Sequence, residues 1–155
     1  MFFFQFLQKM SKTDEKTTTL IKMITRGMKI LITGDRNFSS LGKKIIENLF
    51  QQLKEKDVMI IHGHCPSGAD HYADTCANNL KIPVKRYPAN WKKYGKAAGP
   101  IRNRQMIEIE KPNVVFAFHD KIEASKGTKD TVNCSIKSKI PTFLFDSLGH
   151  IKQLF

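Results

Sequence analysis

The sequence predicts a single three-layer α/β domain built on a five-stranded parallel sheet. Two observations carry that reading: short β-rich apolar runs recur from Met28 onward, and segments with helical apolar spacing separate them. Alternation of this kind with short links implies parallel strands joined by right-handed crossovers. A length of 155 residues suits one such domain.

Taken in order, residues 1–27 precede the pattern. They carry Lys9, Lys12, Lys16, Lys22 and Arg26 against Asp14 and Glu15, and the stretch 13–20 (TDEKTTTL) is polar with no sustained period. The reading is a flexible basic leader ahead of a domain over 28–155. Strands are read at 29–33 (KILIT), 58–62 (VMIIH), 83–87 (PVKRY), 113–118 (NVVFAF) and 141–145 (PTFLF). Runs bounded by Gly, Pro, Asn or Asp and apolar on both faces are those of strands buried on both sides.

The first helix is read over 40–56, from Leu41, Ile45, Ile46, Leu49, Phe50 and Leu53 at spacings of three and four. Tyr72, Ala73, Cys76, Ala77 and Leu80 give the second, with Asp70 placed to cap it. Ile101, Met106, Ile107 and Ile109 give the third, with Pro100 as its natural first residue. The fourth, about 128–138, is less regular because Thr131, Val132 and Ile136 are β-branched. The expected strand order is 3-2-1-4-5, and ligands in such sheets sit outside the carboxyl ends of the strands where the order reverses, here between strands 1 and 4.

The net charge of +12 favours phosphorylated or polyanionic partners. Lysines occur in nearly every segment, so no single basic patch can be drawn. No apolar run approaches the roughly 20 residues needed to span a bilayer, which argues against a membrane partner. The opening MFFFQFL lacks the basic start and cleavage site of a secretory signal. Cys65, Cys76 and Cys134 are an odd count at unrelated spacings, as expected of a chain in a reducing cytoplasm.

The loops after the strands carry the chemistry. After strand 1, Gly34 permits a tight turn and close backbone approach to a ligand, Arg36 offers a planar fork to phosphate, and Asp35 or, after strand 2, Asp70 contacts a ribose or caps a helix. The segment is not the GxGxxG of dinucleotide dehydrogenases. After strand 2, Gly63 leads into Ser67, Gly68, Ala69 and Asp70, small residues that leave helix-start amides open to an anion. His62, His64, Cys65 and His71 match no zinc spacing, and Cys65 has no identifiable base, so neither metal nor cofactor is expected.

After strand 3, Lys96, Gly99, Arg102 and Arg104 make a donor-rich corner. Residues two apart on a helix diverge by about 200°, so only one of the two arginines faces a small ligand. Trp91 reads as a lid. After strand 4, Ser125, Gly127 and Thr128 can hold phosphate by amides and hydroxyl.

TGDRNF, GHCPSGAD, NWKKYGKAAGPIRNRQM and SKGT together resemble the YspA-type, cpYpsA-related branch of the SLOG superfamily, a Rossmann-like group. The resemblance spans about 33–128 and implies a nucleotide or nucleotide-derived ligand; with the loops above, the reading is a sensor or low-activity enzyme that binds it at the carboxyl edge of the sheet. More distant relatives pull in two other directions. LOG proteins split a base from its ribose 5′-phosphate, and their arginine motif is similar to Arg102 through Met106. Their PGGxGTxxE loop is only partly matched: Gly127 and Thr128 align, the glutamate position holds Thr131, and Asp130 stands one residue earlier. On that resemblance Arg102 and Asp130 would be the catalytic pair, and a homodimer is implied. DprA proteins, which bind single-stranded DNA, share GDRNFSSLG and SGAD; nucleic acid is therefore the alternative partner, with Phe38, Trp91 and Tyr94 available to stack on bases.

Overall fold

A computed structural model describes residues 15–155, and the five strands read from the sequence pair in it in the expected order. They are β1 (Lys29–Gly34), β2 (Met59–His62), β3 (Val84–Arg86), β4 (Val114–Phe118) and β5 (Thr142–Phe145). A sixth, β6 (Ile151–Gln153), pairs antiparallel with β5, and the order is β3-β2-β1-β4-β5-β6. The sequence reading stopped at five because β6 is only three residues long, with Lys152 at its centre.

Alternation along the strands sorts the core into two layers. Ile30, Ile32, Ile60, Phe116, Phe118, Phe143 and Phe145 face one side, while Leu31, Ile61 and Val115 face the other. Helix α2 (Ser40–Leu53) and α3 (Gly68–Asn79) cover the first side; α5 (Ala98–Glu110) and α6 (Gly127–Lys137) cover the second. The result is a Rossmann-like three-layer domain, doubly wound as alternation requires.

The leader boundary is corrected by the packing. Residues 15–22 form a helix, α1, and Leu20, Ile21 and Ile24 are buried in the larger core with Ile46 and Phe143. Residues 15–27 therefore belong with the domain, and only 1–14 of the expected leader lie outside the described residues. Thr17, Leu20, Ile21 and Ile24 are the buried residues here, spaced as one helical face. The polar Thr17 and the surrounding charges hide that period. Each buried aliphatic side chain contributes roughly 1.5–3 kcal/mol, enough to hold a polar helix on the core.

Three details of the helix readings also change. Leu41 and Ile109 are exposed rather than part of the buried faces. Helix α5 starts at Ala98 after a single 3-10 turn (Gly95–Ala97), so Pro100 is its third residue. Asp70 does not cap α3: the N-cap is Ser67, whose side chain makes no cap bond. A four-residue helix, α4 (Trp91–Tyr94), escaped the sequence reading because one turn has no period; Asn90 opens it, its Oδ1 accepting the Lys93 amide at 3.1 Å.

Candidate functional site

A cleft of about 300 Å³ opens at the carboxyl edge of the sheet, between the ends of β1 and β4 where the strand order reverses. Its volume lies at the lower end for small-molecule sites. Of the residues singled out from sequence, Gly34, Asp35, Arg36, Gly63, Asp70, Arg102, Ser125, Gly127 and Thr128 line it. Ser67, Gly68, Ala69, Lys96, Gly99, Arg104 and Asp130 do not. The lining also includes Asn103, His119 and Cys65, which the sequence reading left out of the site.

Arg102 is the centre of the arrangement. Its side chain runs from α5 to the end of β2, with Nε donating to Asn103 Oδ1 at 2.9 Å, and one terminal nitrogen donating to the carbonyls of Gly63 and Tyr87. Gly63 is required for this: a Cβ there would stand 2.5 Å from that nitrogen. Arg102 is only 8% exposed, yet no carboxylate of the described residues lies within ion-pair distance of it. A cation buried among neutral acceptors keeps a large uncompensated field. Arg104, two residues on, points away and is exposed, as the helical angle requires.

Asn103, immediately after it, ties the second wall to the first. Its Nδ2 donates to Asp130 Oδ2 at 3.0 Å, which draws the Asp130 carboxylate onto α5 and out of the cleft lining. At the start of α6, Ser125 Oγ accepts the Thr128 amide at 3.1 Å. Gly127 is different from the other glycines of the site, because a Cβ built on it meets nothing within 4 Å. The cleft is open at that helix end.

The glycines after β1 and β2 serve packing between loops. A Cβ on Gly34 would lie 2.5 Å from Ala69 Cβ, and Gly68, at φ +71, would bring one to 2.1 Å from the Asp35 carbonyl. The Ala69 amide donates to that same carbonyl at 3.1 Å, so the α3 amides are not all free for an anion as the sequence suggested. Asp35 closes its own turn, its Oδ1 accepting the Asn37 amide at 2.9 Å, and its Oδ2 lies 3.9 Å from His119 Nε2. Asp70 Oδ2 accepts the Cys65 amide at 3.3 Å. Burial first, then the nearby Asp70 charge, push the Cys65 thiol up from its ordinary value, so it is a poor nucleophile.

Arg36 reaches the mouth of the cleft with its guanidinium carbon 5.9 Å from the centre of the Trp91 ring. Trp91 is 50% exposed, more open than a lid sealed onto the core. Phe38, considered above for stacking on bases, is buried against Phe118 and Gly42 and cannot serve. His62, His64 and Asp74 bring ligand atoms within 4.8 Å of one another. Both His62 nitrogens are nevertheless spent: Nδ1 accepts the His64 amide at 2.9 Å, which leaves Nε2–H to donate to Asp74 at 2.7 Å. Arg86 donates to the same carboxylate oxygen at 2.7 Å. The trio is a hydrogen-bonded unit with no lone pair on His62 left for a cation.

Fold and cleft together define a Rossmann-like α/β protein with one polar site at the switch point of its sheet. Over residues 28–94 the chain matches the YspA, cpYpsA-related SLOG family, the one its loop motifs resemble. Among solved structures it is similar to the molybdenum cofactor binding protein from the phototrophic bacterium Rippkaea orientalis, with 19% identity over 78% of this chain and 77% of that one and a TM-score of 0.61. It is also similar to the Moco carrier protein from Chlamydomonas reinhardtii, with 19% identity over 77% and 76% and a TM-score of 0.60. At that identity the likeness is one of fold. No curated protein matches the chain.

Proposed function

We propose that the chain is a binding protein that holds a small phosphorylated ligand, a nucleotide or nucleotide-derived cofactor, in the cleft beside Arg102. The observation that carries this reading is a buried guanidinium, fixed by three neutral oxygens, with no carboxylate among the described residues within ion-pair distance. A phosphate supplies the missing charge and bonds best to a donor already held in place. The open start of α6 at Gly127 adds a positive dipole end to the same cleft. Two neighbours in fold are named for the molybdenum cofactor, which supports a carrier or sensor role over a catalytic one.

The hydrolytic reading is less favoured, because Asp130, its only matching carboxylate, is held by Asn103 and does not line the cleft. Nucleic-acid binding loses the stacking contribution of Phe38. Titration calorimetry against AMP, ADP-ribose, NAD, cyclic nucleotides and the molybdenum cofactor tests the proposal. At least one is expected to bind, with affinity lowered tenfold or more by Arg102→Lys. Folded protein that gives no heat with any of them, or binding indifferent to Arg102, overturns it.

A further inference from the structure

The loop between β2 and α3 is closed by a histidine side chain. His62, the last residue of β2, is wholly buried. Its Nδ1 accepts the His64 amide at 2.9 Å, and between the two stands Gly63, whose carbonyl accepts a terminal nitrogen of Arg102. The bond bridges a turn in which His64 sits at φ +56, a left-handed conformation that a non-glycine residue keeps only when its surroundings hold it. Nε2–H is given to Asp74 of α3 at 2.7 Å. A neutral imidazole has one acceptor and one donor, and both are used.

A proton on Nδ1 is incompatible with this turn, because two N–H groups would then point at each other. The proton can add only as the His64 amide moves away, so protonation and opening of the loop are one event. Burial is the largest influence on the ring and favours its neutral form; the His64 ring, stacked at 6.0 Å, opposes a second charge beside it. Asp70 and Asp74 of α3 pull the other way, and Arg86 of β3, opposite His62 in the sheet, binds the same Asp74 oxygen. The net direction is downward from the ordinary 6.5, so the turn is shut at neutral pH and acid opens it.

We propose that His62 is a positioning residue for Arg102, acting through the Gly63 carbonyl, and that it works as a proton-operated latch on the cleft. With His62 neutral the loop is shut and the guanidinium is held in one plane. With His62 protonated the loop opens and Arg102 loses that acceptor. A donor no longer held in place binds an anion less well, so acid releases the occupant. The release rests on the reading of the cleft as a phosphate site; the latch itself does not.

The test is a nuclear magnetic resonance titration of the full chain from about pH 8 to about pH 5, in which ring resonances give each histidine its own midpoint. The His64 amide and the Arg102 Nε resonance are expected to move with the His62 midpoint, below 6.5, and not with those of His64 or His119. His62→Asn keeps an oxygen acceptor where Nδ1 stood and cannot titrate, so both signals should hold their neutral-pH positions throughout. His62→Gln offers its amide to Asp74 but has no acceptor in place of Nδ1, so both should sit at their acid positions even at neutral pH. Sulfate, whose charge is constant over this range, is the anion probe. Measured against His62→Asn, its affinity for the wild type should fall about fivefold across the midpoint, the worth of one hydrogen bond. Signals that ignore the His62 midpoint overturn the latch, as does a His62 that takes up its proton only when the whole chain unfolds. Where a variant does not fold, the wild-type titration decides alone. Sulfate bound equally on both sides of the midpoint overturns the release. A working latch in a chain with no affinity for sulfate counts against the phosphate site and leaves the positioning role of His62 standing.

Discussion

Arg102 is expensive to bury, and the residues around it are arranged to keep it there. Gly63 gives it room, and Tyr87 and Asn103 fix its plane. A lysine carries one nitrogen instead of a planar fork, so Arg102→Lys should lose most of the ligand affinity while the chain still folds. Two glycines separate packing from binding. Gly68→Ala, strained at φ +71 and blocked by the Asp35 carbonyl, should cost on the order of 3 kcal/mol in denaturant unfolding. Gly127→Ala, whose Cβ enters open space at the first position of α6, should leave stability within about 1 kcal/mol and weaken ligand binding instead. Arg102 and Gly127 both line the cleft, and side-chain chemistry and loop position single them out in the sequence. The partners of Arg102 were not: Gly63 is 39 residues away, and a carbonyl acceptor leaves no mark on residue type. At Gly34 and Gly68 the sequence could not separate two demands, since loop-on-loop packing and ligand approach call for the same residue.

At the scale of elements, periodicity was enough wherever an element was long and apolar. All five parallel strands and the four main helices fall within a few residues of their reading. The elements that were missed are those whose stabilisation comes from elsewhere in the molecule. Helix α1 has a polar sequence and is held by three side chains, and β6 is held by its ladder to β5. Ile24→Ala, which leaves a hole between α1 and the sheet, is expected to cost about 2–4 kcal/mol in denaturant unfolding. Met23→Ala, one residue earlier on the exposed face, should stay within about 0.5 kcal/mol. Near-equal costs for the two would mean that α1 is not docked on the core.

Across the whole molecule, stability should be acid-sensitive in two steps. Burial lowers His62 below its ordinary value of 6.5, so below about pH 6.5 the unfolded chain takes up a proton that the folded chain refuses, and stability falls. Glu110, 3% exposed at the far edge of the sheet, is bound first by Lys85, then by Tyr87 and Lys29, which hold it at about 2 against an ordinary 4.5. Its contribution is complete above 4.5 and is lost as pH falls from there toward 2. Melting temperature against pH should show both losses, with Glu110→Gln flattening the lower one. The net charge of +12 draws phosphorylated ligands toward every face, so binding alone does not locate the site. The deciding measurement is the set of backbone amide resonances that move when a tightly bound nucleotide or cofactor is added. Shifts centred on Gly34–Asn37, Gly63–Cys65 and Gly127–Thr128, together with the Arg102 side-chain Nε, are the expected result. Shifts spread over surface lysines, with those three loops and Arg102 unmoved, would contradict a phosphate site at the carboxyl edge of the sheet.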